Sequence, residues 1–200
     1  MAGARGTMIS SGMFETFRAR AEAVSGEVHR VASDAAAADF LAGFLESEGV
    51  ADRPGSRAVC AATTSLAGVR PEELAAKIPG LTLDVDRKSA AESRVGISAV
   101  DFGLADTGTV VQDASSVPLR LVSTLPEIHV ALLRTGAILP DLEALLPRLD
   151  PSRSPYLSFI TGPSRTADIE RVLTIGVHGP VRLVVLCVDG PAAAAEGAPS

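Results

Sequence analysis

Two short apolar runs constrain this chain more than anything else in it. Residues 128–133 are apolar on both faces apart from His129, and residues 181–188 are apolar apart from Arg182. A strand with one wetted face alternates apolar and polar side chains, so two-sided apolarity requires a strand covered from above and below. Neither run approaches the roughly 18–20 residues of a membrane span. Helix-length patterns flank such runs. Residues 14–24 and 34–48 read as helices, the second with Phe40, Leu41, Phe44 and Leu45 at helical spacing and Gly49 as its cap. Pro71 opens another helix, stopped before Pro79 and Gly80. Further helices are expected at 87–94, at 140–149 with a stripe of Leu142, Leu145, Leu146 and Leu149, and at 165–175. Strands are expected at 26–32, 57–62, 81–85, 97–104, 109–112, 128–133, 156–160 and 182–188. Strands alternating with helices predict a three-layer α/β/α fold with a mostly parallel sheet. The last three segments, 156–160, 165–175 and 182–188, read as a right-handed strand–helix–strand unit.

Two hundred residues suit one domain, large enough to bury roughly 70% of its unfolded surface without a metal or disulfide. We expect a flexible amino terminus at 1–13, a domain at 14–189 and a disordered tail at 190–200. The amino-terminal stretch has no apolar core of signal-peptide length, which predicts a cytoplasmic protein. Cys60 and Cys187 lie far apart inside apolar runs, and neither has metal-ligand spacing. Iron–sulphur ligation by this chain alone is therefore disfavoured. A net charge of −6, no basic stripe and 4% aromatics argue against nucleic-acid binding.

Ligands of open α/β sheets lie beyond the carboxyl ends of the strands, and that rule selects loops. The first is Gly162-Pro163-Ser164-Arg165-Thr166 with Asp168, after a strand and before the expected helix. Free amides at a helix tip, hydroxyls and Arg165 would make an anion pocket. Its structural alternative is a well-capped helix with Arg165 paired to Asp168. The second is Asp106-Thr107-Gly108-Thr109, either lining the cleft or forming a tight turn with Gly108 at positive φ. An aspartic-protease role for Asp-Thr-Gly would need a two-fold β architecture, which this pattern does not offer. The third is His178-Gly179, which leads into the amino end of a strand and so counts as the weaker position. Arg120 could face an anion or a partner, and His129, in its apolar run, reads as a core histidine before it reads as a ligand. No HExxH, GxSxG or GxGxxG occurs.

Three blocks together resemble lactate-utilisation protein C, the LUD-domain family: residues 101–111, residues 123–130, and residues 160–170 running on to 176–180. The resemblance covers residues 14–189 and is closest from about residue 95 onward. It implies a fold similar to the sugar-phosphate isomerase and CoA-transferase group. It also implies work beside two iron–sulphur partner proteins in oxidising L-lactate to pyruvate, with the clusters in the partners and no cofactor on this chain. It supplies no catalytic residue, only motif positions that mark a cleft, and it leaves a homodimer open. Two functions follow: a non-redox subunit of a lactate-oxidising assembly, or a stand-alone enzyme binding a hydroxy acid, sugar phosphate or acyl-CoA. The second would need a glutamate nucleophile, and neither Glu127 nor Glu170 has such a setting in the sequence.

Overall fold

The computed structural model describes residues 3–61, 66–150, 152–167, 173–175 and 178–190. The expected tail lies outside them from residue 191. The chain opens with α1 (Gly3–Ala23), so most of the stretch expected to be a flexible terminus is helical backbone. Next come β1 (Glu27–Val31), α2 (Asp34–Ser47), β2 (Arg57–Ala61), α3 (Pro71–Lys77), β3 (Leu81–Thr82), α4 (Arg87–Ala91) and β4 (Ser93–Ala99). They are followed by β5 (Phe102–Leu104), β6 (Thr109–Asp113), α5 (Val117–Thr124), β7 (Ile128–Arg134), β8 (Ile138–Leu139) and α6 (Leu142–Leu145). The chain ends with β9 (Leu157–Ile160), β10 (Arg165–Ala167), β11 (Leu173–Ile175) and β12 (Arg182–Val188).

Six strands form a sheet in the order β1-β12-β7-β4-β2-β3 with every neighbouring pair parallel. The two runs apolar on both faces, β7 and β12, therefore occupy its interior. On one face lie α2 and α3. The Ser33 hydroxyl caps α2 by accepting from Ala36 N at 3.2 Å, and Gly49 ends it at φ +71°. Ala37, Leu41 and Leu45, spaced four apart on one stripe, are fully buried against Val130, Leu132 and Leu186. The other face is covered by α4 and α5 at one side and by α1 with a second sheet at the other. That second sheet has the order β8-β5-β6-β9. Gly96 permits α5 to reach β4, since a Cβ there would stand 2.1 Å from Val122 O.

The structure corrects several expected elements. The run 97–104 is two strands in two sheets. At Asp101 the chain leaves the parallel sheet: its amide donates to Val111 O at 2.9 Å, and its carboxylate accepts from Asp113 N at 2.6 Å. The expected helix at 165–175 is instead β10 and β11, paired antiparallel with Arg165 opposite Ile175. The β-branched Thr166, Thr174 and Ile175 favour that outcome. Consequently 156–160 and 182–188 do not form one strand–helix–strand unit. β9 pairs antiparallel with β6, whereas β12 pairs with β1 and β7. The helix expected at 140–149 is one turn, α6, followed by a 3-10 turn at Leu146–Arg148. Pro147 cannot continue an α-helix, and of the leucine stripe only Leu145 is fully buried, with Leu142 and Leu146 exposed.

Candidate functional site

A cavity of about 250 Å³ opens beside the amino ends of β7 and β12, on the face covered by α5 and the second sheet. Four segments build it. The end of α5 supplies Ser123 and Thr124, and β7 supplies His129 from its second position. The end of β9 and the loop after it supply Phe159 through Ser164, and the loop before β12 supplies His178, Gly179 and Pro180. Leu183 closes the apolar side. The two loops are tied together, because Ser164 N donates to Pro180 O at 2.9 Å. The second is also tied to the start of β7, where Val181 N donates to Glu127 O at 2.8 Å.

His129 is 1% exposed on the cavity wall. Its Nε2 lies 2.9 Å from Ser98 Oγ on β4, and Ser98 accepts from Gln112 Nε2 on β6 at 2.8 Å. Gln112 Nε2 also donates to Ala99 O at 3.1 Å. All three side chains are buried, and neither His129 Nδ1 nor Gln112 Oε1 has a hydrogen-bond partner. Burial holds the imidazole well below its ordinary pKa, at about 4, so it is neutral at physiological pH. Below this region a charged network braces the same end of the sheet. Arg182 binds Glu27 at 2.7 Å and Glu48 at 2.6 Å, while Arg94 binds Glu48 at 3.0 Å and Glu127 at 3.1 Å.

Of the residues singled out from sequence, Gly162, Pro163, Ser164, His178, Gly179 and His129 meet at this cavity. Arg165 does not. Its guanidinium donates to Val24 O at 2.8 Å and Ser25 Oγ at 2.7 Å, clasping the end of α1. With β10 in place of the expected helix, no helix tip exists at Ser164, and the anion pocket built on one is withdrawn. Thr166 lies in β10, and Asp168 falls outside the described residues. The Asp106 segment is the tight turn of the structural alternative. Gly108 sits at φ +68°, and a Cβ there would also stand 2.2 Å from Ala21 N of α1, so both the turn and the close approach require glycine. Asp106, Thr107, Gly108 and Thr109 do not line the cavity, although Thr109 Oγ1 reaches Thr161 Oγ1 at 2.8 Å. Arg120 is turned away onto Ala114 O and Ser115 O, 2.9 Å from the latter, with its guanidinium over the Tyr156 ring. The carboxyl-end rule misdirects here, because the cavity lies at amino ends and the argument against His178 falls with it. Sequence reading missed Ser98 and Gln112. A polar residue amid Ile97 and Ala99, and another after Val110 and Val111, were the available signals.

The profile of the LUD domain family matches residues 14–188, from α1 to the last residue of β12. The chain belongs to the LUD domain family. Its curated relatives include lactate utilization protein C of an Exiguobacterium species, 35% identical over 111 residues, 52% of this chain and 48% of that protein. Lactate utilization protein C of Halalkalibacterium halodurans is 35% identical over 108 residues, 51% of this chain and 47% of that protein. The uncharacterized protein YkgG of Escherichia coli K12 is 37% identical over 106 residues, 50% of this chain and 46% of that protein. The matched region thus spans about half the length of these relatives. The LUD domain fold has a solved counterpart in a DUF162 family protein from Deinococcus radiodurans, with TM-score 0.60 and 17% identity. That likeness covers 90% of this chain and 98% of the other.

Proposed function

We propose that this LUD-domain chain serves lactate utilisation in the cytoplasm. In this reading it is a non-redox subunit beside iron–sulphur partner proteins that oxidise L-lactate to pyruvate, and the amino-end cavity is its ligand site. The observation that carries the reading is the 35% identity to proteins named lactate utilization protein C. The side-chain inventory supports a non-redox role. Cys60 on β2 and Cys187 on β12 are separated in the sheet by β7 and β4, and burial pushes both thiols up to about 12. Neither thiol offers a thiolate for cluster ligation near neutral pH. Among the described residues no helix is long and apolar enough to cross a membrane.

The cavity favours a second reading, in which the chain alone binds and turns over a small hydroxy or oxo acid. Reconstitution separates the two. L-lactate-dependent dye reduction is measured with candidate iron–sulphur partner proteins, with and without this chain. Activity that requires the chain supports the subunit reading. Full activity without it, or turnover by the purified chain alone, contradicts that reading.

A further inference from the structure

The two larger sheets have four edges, and three of them are blunted. β1 carries Glu27, His29 and Arg30, with Glu27 bound to Arg182 and Arg30 to Asp189. β3 and β8 are two residues long. Charge and shortness are common ways for a protein to stop a sheet edge from pairing with another chain. β9 uses neither. From Tyr156 to Thr161 the chain carries no charge, and Tyr156 and Phe159 are half-exposed. The register also fixes which peptide groups point outward. Val111 O accepts from Asp101 N on the β5 side, so the alternation of a strand turns Val110 and Gln112 toward β9. Their partners Ile160 and Ser158 therefore face β6, as does Tyr156 O, which accepts from Ala114 N at 2.9 Å. Leu157 and Phe159 turn their N–H and C=O groups to the open edge, where the described residues offer them no partner.

The segment is its own complement. Pro155 and Pro163 lie equally far to either side of Phe159, and a proline has no N–H to give a ladder. Antiparallel pairing of two copies about Phe159 sets Leu157 opposite Thr161 and each Pro155 opposite a Pro163, so the ladder stops where its donors stop. Phe159 then meets the Phe159 of the second copy, an aromatic cross-strand pair. Two chains of net charge −6 repel, so contact between copies needs an uncharged segment, and this is one. Side chains opposite one another in a ladder share a face, and Val111, opposite Phe159, packs against Leu145 of α6. Leu142 of α6 and Leu146 just after it are exposed, and they extend that apolar layer. We infer that β9 is the seat of a two-fold homodimer, joining the four-stranded second sheets of two copies into one sheet of eight. Its outer strands are the two-residue β8 of each copy, so assembly stops at two. The dimer stands apart from the lactate reading, and its tests use no ligand.

Sedimentation velocity of the full chain tests this directly, and a dimer is expected at about 100 μM. Phe159→Lys sets two like charges opposite each other and removes the aromatic pair, so self-association should weaken more than about tenfold. Far-ultraviolet circular dichroism checks that this variant is folded. Cysteine cross-linking reads the register, and Cys60 and Cys187 are buried and do not interfere. Residue 159 and its copy form a hydrogen-bonded antiparallel pair with Cα atoms about 5.5 Å apart, which a disulfide spans. Phe159→Cys should therefore link to itself under mild oxidation. Leu157 and its copy lie about 13 Å apart along the strands, beyond disulfide reach, so Leu157→Cys should stay unlinked alone and link when mixed with Thr161→Cys. A wild-type monomer at that concentration, an undiminished dimer in folded Phe159→Lys, or self-linking of Leu157→Cys in place of Phe159→Cys would each overturn the homodimer. Hydrogen exchange at the amides of residues 157 and 159 tests the other occupant. Protection that grows with chain concentration supports the second copy, and protection that appears only when an iron–sulphur partner protein is added overturns it.

Discussion

The two faces of the parallel sheet are built for different work. Under α2 and α3 the central strands present apolar side chains, with Val95, Ile97, Val130, Leu132 and Leu186 all fully buried. Under α5 and the second sheet the same strands present Ser98 and His129, and β6 adds Gln112. The first face has every reason to be stable and no reason to be specific. The second accepts buried polar groups, connects them in one line, and leaves two of their atoms without a partner, Gln112 Oε1 and His129 Nδ1. Buried polar groups raise the cost of an error in packing, so a fold keeps them where position matters.

Truncation on the helix-covered face should give the largest loss. Leu132→Ala is expected to destabilise by about 3.5 kcal/mol in denaturant unfolding while leaving any L-lactate affinity unchanged. Comparable loss of affinity would mean that the two faces are not separable. The second effect is acid sensitivity from His129. Its folded-state pKa is lowered to about 4 from an ordinary 6.5, by burial. Below pH 6.5 the unfolded chain binds a proton that the folded chain refuses, so stability present above pH 6.5 is lost as pH falls toward 4. The loss is about 3 kcal/mol, and comparison with His129→Asn across that window isolates it.

The contrast between the faces also explains what could be read from the sequence. β7 and β12 were legible because two-sided apolarity is a local pattern, and α2 and α3 because Gly49 and Pro71 mark a cap and a start. His178 and the 162–164 loop were legible as unusual residues, but their meeting place was not. That depends on β9 joining β6 instead of the parallel sheet, a pairing between residues about fifty apart. His129 read as a core histidine, and half of it is one: Nε2 is satisfied and Nδ1 is not. The line from Gln112 through Ser98 to His129 crosses three strands and two sheets, so no local spacing announces it. Arg165 was misjudged for the same reason, since its partners at Val24 and Ser25 lie about 140 positions away.

Two smaller effects sharpen the comparison at the sheet's amino end. Burial alone would raise the Glu48 carboxyl, but hydrogen bonds from Arg182 and Arg94 outweigh it and hold the group below its usual range. Glu48→Gln should therefore destabilise by about 2 kcal/mol above the carboxylate range, with the difference from wild type shrinking as pH falls through it. The cavity should keep its affinity, since Glu48 braces strands and does not line it. Arg165→Ala should cost less than about 1 kcal/mol in thermal unfolding and leave lactate affinity within twofold. A tenfold loss there would restore Arg165 to the site.

Burial beside Ser98 and Gln112 holds His129 as a neutral ring at physiological pH. Long-range 1H–15N correlation of the imidazole in the wild-type chain reads this without any ligand or substitution. A neutral ring is expected, unchanged from pH 8 to pH 5.5. An imidazolium forming near pH 6.5 would contradict it.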